Sequence, residues 1–183
     1  MRILIVGAGP IGCYTSQLLK QNGYKPILLE EHSNVGKPVQ CAGIVSSKLI
    51  STIKDYISEE AILRQINGFT INTTWTEDFN IKIPGIACIV NREKFDTDIG
   101  RGLDIRLGRR VTKITRESQN HSYCVYTQLD EKFETDILIG ADGPDSIIRK
   151  YLLNQYNTNN KNNNNLKINY YYGMQYQIKL KEA

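Results

Sequence analysis

The strongest constraint on this chain is the stretch "VGAGPIG", which sets Gly7, Gly9 and Gly12 in G-x-G-x-x-G spacing. Residues 2–6 before it form an apolar run that reads as a buried strand. Residues 10–22 follow as a helix, with Ile11, Tyr14, Leu18 and Leu19 on one face and Asn22-Gly23 as the stop. "KPILLE" is a second apolar run. Strand, helix and strand in this order make a βαβ unit, whose strands are parallel and whose crossover is right-handed. In that context each glycine has a task. The first permits a tight turn, the second lets the backbone approach a pyrophosphate, and the third lets the helix pack closely on the sheet. The helix N-terminus offers N–H groups and the positive end of its dipole to phosphates. Glu30 ends the second strand, where an acid accepts hydrogen bonds from ribose hydroxyls. Glu31 is the weaker contact, because neighbouring strand residues point to opposite faces. An acid at Glu30 also opposes a 2′-phosphate. A glycine-rich turn without a ligand leaves the strand, the helix and the acid unexplained together, so the reading is dinucleotide binding.

Beyond the unit, residues 46–63 carry a helical pattern with a break near 57–58. Residues 68–83 read as two short strands, 87–90 as an apolar run and 91–103 as a helix. Strands are expected at 104–107, 111–115, 123–129 and 134–139, and a helix at 144–153. The fold class is α/β: a parallel, Rossmann-like βαβ core carries an inserted, mostly antiparallel section and then resumes. "NTNNKNNNN" is low in complexity and reads as a loop or linker. The tyrosine-rich alternation of "LKINYYYGMQYQIKLKEA" reads as a strand. The expected division is a binding domain over 1–153, a linker over 154–165 and a single strand over 166–183.

Composition excludes several alternatives. With 183 residues, 40% of them hydrophobic, the chain can bury a core without disulfides or metal. The net charge of +4 is spread along the chain, without the basic stripe that nucleic-acid binding requires. Cys13, Cys41, Cys88 and Cys124 form no C-x-x-C pair, and His32 and His121 stand apart, so no metal site is expected. "MRILIVGAG" opens a strand rather than a signal peptide. No stretch reaches the roughly 20 apolar residues of a membrane span. The expected location is cytoplasmic, with peripheral membrane contact left open.

A second glycine cluster, "LIGADGPDSIIRK", repeats the strand-to-helix arrangement. Both clusters can sit at one edge of one sheet, which brings the Asp142 carboxylate near a bound cofactor. Ser146 and Arg149 lie one helical turn apart. The plainer reading is an Asp-Gly turn with a paired arginine. "VGAGPIG", "ILLEE", "VNREKFD" and "LIGADGPDSIIRK", taken in order, resemble the FAD-dependent oxidoreductases of the aromatic-hydroxylase type. "PVQCAGIVS" is similar to the P-x-x-C-x-G element of the geranylgeranyl reductase family, whose members saturate isoprenoid chains.

The resemblance implies FAD as cofactor. Its pyrophosphate would lie on Gly9, Pro10, Ile11 and Gly12, and its adenosine ribose at Glu30. Arg92 would supply a cationic contact, with Asp96 bracing its helix. Val111 would offer backbone contacts to the adenine. Asp142 and Gly143 would lie near the pyrophosphate and ribitol. Cys41, Ala42 and Gly43 would lie near the isoalloxazine, with Pro38 stiffening the approach and Gly43 admitting a flat ring. Cys41 is the candidate catalytic residue, and a buried structural thiol is its alternative. Cys13, Cys88 and Cys124 are expected in the core. The implied activity is reduction of carbon–carbon double bonds in the prenyl chains of an isoprenoid lipid. The electron donor would be a reduced nicotinamide or ferredoxin. Family members continue past the second cluster into a large sheet and a third glycine–aspartate element. This chain therefore resembles the N-terminal portion of such an enzyme, and a partner chain could supply the rest. A flavin monooxygenase and a non-catalytic binding fragment are the alternatives. A plain NAD dehydrogenase is disfavoured by the second cluster.

Overall fold

The computed structural model describes residues 1–72, 74, 78–117, 121–159, 169–171 and 173. Its centre is a four-stranded parallel sheet in the order β10-β1-β2-β6, with β1 at Ile3–Val6, β2 at Ile27–Leu29, β6 at Asp104–Arg106 and β10 at Ile137–Gly140. Val6 is paired with Leu29 on one side and Gly140 on the other, so β1, β2 and β10 end in register. This is the parallel core that the first thirty residues require. β1, β2 and β10 read as apolar runs, as strands covered on both faces do, whereas the edge strand β6 is Asp-Ile-Arg with its two charged residues exposed.

The pleat sends alternate residues of β1 into two separate cores. Ile3 and Ile5 pack with Cys13 of helix α1 (Pro10–Gln21) and with Phe95 and Ile99 of helix α3 (Arg92–Ile99). Leu4 and Val6 pack on the other face with Ile148 of helix α4 (Ile147–Asn159). Val111, Ile114 and Val125 join them from a three-stranded antiparallel sheet of β7 (Val111–Arg116), β8 (Tyr123–Thr127) and β9 (Lys132–Thr135). A second antiparallel sheet, ordered β3-β5-β4, comprises β3 (Ile44–Ser46), β4 (Ile62–Ile71) and β5 (Phe79–Val90).

Five local expectations change. The fully buried side of α1 is Gly12, Cys13, Ser16 and Gln17; of the expected face, Tyr14 and Leu19 pack partly buried against the same core, while Ile11 and Leu18 are exposed. A helix lying close on a sheet needs small residues at the contact, and that requirement overrides the apolar count. The helical pattern from residue 46 gives only α2 (Ser47–Ile53) and two single 3-10 turns, with the break at 57–58 as expected. The two short strands and the apolar run are one long hairpin, β4–β5. The single strand expected at 134–139 is two, divided at Asp136. There the Arg2 N–H donates to Asp136 at 2.7 Å, and the chain passes from the antiparallel sheet into the parallel one. Helix α4 also runs on to Asn159, into the segment expected to be a linker. The expected strand over 166–183 falls largely outside the described residues.

Candidate functional site

Two strand-to-helix turns meet at the end of the parallel sheet. Gly7 has φ +97°, and its N–H donates to Leu29 O at 2.8 Å. A Cβ on Gly7 would lie 2.3 Å from Ala141 O, so the first turn is pressed against the second. A Cβ on Gly12 would lie 1.9 Å from Gly7 O. Gly9 differs: a Cβ there meets no atom within 4 Å. It is also the N-cap of α1, and no side chain caps that helix. The first N–H groups of a helix have no intrahelical partner, so the uncapped end of α1 is open toward the space above Gly9.

That space is a groove of about 800 Å³, within the roughly 300–1,000 Å³ range of small-molecule sites. Of the expected residues, Gly7, Gly9, Pro10, Ile11, Glu30, Glu31, Cys41, Arg92, Val111, Asp142 and Gly143 line it. Gly12, Ala42 and Gly43 do not. Gly12 packs behind the turn. Gly43 has φ +74°, and a Cβ would lie 2.5 Å from Val90 O, to whose residue it is bonded (Val90 N–H to Gly43 O, 2.8 Å). Its glycine is thus required by the approach to β5, where the sequence suggested a flat ring.

The charged groups of the groove are partnered within the fold. Arg92 makes a two-point contact with Asp96, at 3.1 and 2.9 Å. Its hydrogen bond to Asp96 raises the Arg92 pKa against the cost of burial, and the neighbouring Cys41 sulfur adds to the rise. Burial pushes the Asp96 carboxyl up while Arg92 pulls it down. Glu30 accepts the Ala8 N–H at 2.8 Å, which ties the end of β2 to the glycine loop. Asp142 faces its own helix: Ser146 Oγ donates to it at 2.6 Å and the Ile147 N–H at 2.7 Å. Ser146 in turn accepts the Arg149 N–H at 2.9 Å. Arg149 donates to Pro144 O and to the Tyr170 hydroxyl rather than to a carboxylate.

Among the cysteines, Cys41 is exposed and lines the groove, whereas Cys13, Cys88 and Cys124 are buried, as expected. Burial, with Asp96 and Glu30 adding, pushes the Cys13 thiol up to about 12. Glu117, Cys124 and Glu134 come close enough to suggest a metal group. The Lys132 ammonium lies 3.5 Å from Glu117 and 2.9 Å from Glu134 and supplies the cation there.

Sequence reasoning missed His32, Arg109 and Arg110, which also line the groove. His32 had a signal in its position two residues past the strand-end acid. The arginines had none, because the pairing of β6 with β2 brings them there.

The residues present fit an FAD. The uncapped α1 end suits a diphosphate, the Glu30 carboxylate suits ribose hydroxyls, and the space over Gly9 and Gly143 would be filled by side chains at either position. The FAD binding domain family matches residues 1–173. Two digeranylgeranylglycerophospholipid reductases of Methanosphaera stadtmanae are 26% and 30% identical, over 81% and 85% of this chain and 41% and 42% of their own lengths. A geranylgeranyl bacteriochlorophyll reductase-like protein from Thermoplasma acidophilum superposes with a TM-score of 0.67 at 19% identity, covering 78% of this chain and 39% of that one. The chain thus spans about two fifths of the length of these relatives.

Proposed function

This chain belongs to the FAD-binding domain family, and from that premise we propose that it is the cofactor-binding part of a reductase acting on prenyl double bonds of isoprenoid lipids. The activity is proposed for the whole protein, since the compared span is only part of each reductase relative. The observation that carries the reading is the position of Cys41. The P-x-x-C segment lines the same groove as the glycine loop, beside Arg92.

FAD, when bound, supplies the redox chemistry. The chain's own residues bind and orient it. The open end of α1, at Gly9 to Ile11, would hold the diphosphate, and Glu30 would hold the ribose. Arg92 is kept in place by buried Asp96, while Val111 borders the adenosine end. Cys41 lines the groove and is the candidate proton-carrying group for the alkene carbon. Asp142 and Gly143 form the wall opposite the glycine loop.

The electron donor, a reduced nicotinamide or a ferredoxin, belongs to the same proposal, as does peripheral contact with a lipid surface. No helix among the described residues is long and apolar enough to cross a membrane.

The test begins with the absorption spectrum of the purified chain and the cofactor released on denaturation. Flavin bands and free FAD are expected. The whole protein is then given a prenylated glycerophospholipid and a reductant, and mass spectrometry follows the gain of H2 per double bond. Cys41→Ala is expected to lower turnover by at least about tenfold while retaining FAD. Hydroxylated product, or unchanged turnover in Cys41→Ala, would overturn the reading.

A further inference from the structure

At the ribose end of the groove, Glu30 and His32 are in direct contact. Glu30 is only 8% exposed. One of its oxygens, Oε2, accepts the Ala8 N–H at 2.8 Å. The other, Oε1, accepts the His32 backbone N–H at 3.0 Å and lies 2.7 Å from His32 Nδ1. A carboxylate has no proton to donate, so at that distance Nδ1 carries the hydrogen. Two further bonds fix the backbone of the pair. Arg109 N–H donates to Glu30 O at 2.7 Å, and Gly108 N–H donates to His32 O at 2.9 Å. The second ring nitrogen, Nε2, is 3.9 Å from Glu31 and makes no hydrogen bond to it at that separation.

The carboxylate therefore has three donors on roughly four acceptor sites. It is held at one oxygen by the glycine loop and at the other by His32. Without the imidazole, Oε1 keeps only a main-chain N–H, and the side chain is freer to turn away from both the loop and the groove.

We propose that His32 is a positioning residue for the adenosine half of the cofactor: its Nδ1–H locks the Glu30 carboxylate between the glycine loop and the ribose site. This inference rests on the FAD-binding reading. It assigns His32 a donor role at one ring nitrogen only, and that makes it testable with isosteres. The amide nitrogen of Asn stands as many bonds from Cα as Nδ1, and that of Gln as many as Nε2.

The experiment measures FAD affinity of the full chain by flavin fluorescence, with ADP as a competing ligand, for wild type and for His32→Ala, His32→Gln and His32→Asn. Thermal midpoints are recorded without cofactor. Loss of a hydrogen bond to a charged group corresponds to about tenfold in affinity. His32→Ala and His32→Gln are expected to weaken FAD and ADP alike by about that factor, with His32→Asn close to wild type. The cofactor-free midpoints of His32→Ala and His32→Gln are expected to fall by only about 2–4 °C, because the same bond is present without cofactor. Equal FAD affinity in wild type and His32→Ala would overturn the proposal. So would a His32→Asn as weak as His32→Gln, or a loss for FAD without one for ADP. If the alanine variant does not fold, the contrast between Asn and Gln carries the test. A wild type that takes up no FAD would instead overturn the reading beneath the proposal, and the proposal with it.

Discussion

The two glycine-bearing turns leave adjacent, paired strands and lead into helices, yet they treat those helix ends in opposite ways. At the β1–α1 turn the N-cap is Gly9, followed by Pro10, and no side chain caps the helix. At the β10–α4 turn, Asp142 accepts the Ile147 and Ile148 N–H groups at 2.7 and 3.4 Å, and Ser146 accepts that of Arg149 at 2.9 Å. One end is left uncapped, and the other is sealed by a carboxylate of the chain itself. Topology and glycine spacing alone do not distinguish them. The acceptor groups within each turn do, because a capped N–H and an approaching phosphate compete for one proton.

The contrast is open to mutation. The largest effect is expected for Gly12→Ala, whose Cβ would meet the Gly7 carbonyl at 1.9 Å. A collision with backbone cannot be relieved by a rotamer, so the loss should exceed about 3 kcal/mol in denaturant unfolding, and bound FAD should be lost with it. A stable Gly12→Ala would mean that the helix can move off the turn.

Asp142→Ala comes next, at about 1–2 kcal/mol in chemical or thermal unfolding, the usual worth of a cap. Asp142→Asn keeps an acceptor oxygen and should lose less than half of that. If Asp142→Ala instead left stability unchanged and removed only FAD, the sealed end would have to be reassigned to the cofactor.

Gly9→Ala separates binding from folding. Gly9 has φ −70° and ψ 179°, which any residue adopts, and its Cβ meets open space. Stability should fall by no more than about 1 kcal/mol, because alanine is a poorer N-cap than glycine, whereas FAD affinity should fall about tenfold because the methyl group occupies the approach to the α1 end. Equilibrium titration beside a melt decides this. Ser146→Ala should be the mildest, about 0.5–1 kcal/mol for one capping bond and no change in FAD affinity. A measurable FAD effect there would blur the distinction between the turns.

The candidate site was legible in the sequence where function and local chain geometry coincide. Gly7, Gly9 and Glu30 were readable because a strand, a turn and a strand end dictate their placement over a short distance. Arg92 was reached only through family likeness, and the structure brings it to the groove beside Asp96. At Gly43 the letter alone did not show the approach to β5, because a glycine at positive φ looks the same whether the nearby group is a ligand or a strand. The long β4–β5 hairpin was divided for a related reason: most of its residues are exposed, so no burial pattern marked it as one element.

The sequence by itself determined the parallel core, the open first turn and the acid facing it, since the sheet's period, glycine sterics and helix-end chemistry act between residues close along the chain. Only the tertiary structure decided which helix face is buried, that Asp142 closes α4, that His32 and Arg109 meet Glu30, and that Arg110 lies beside Glu31. These depend on which strands become neighbours, and that choice is made by burying both faces of one sheet at once, a balance that no local window of residues contains.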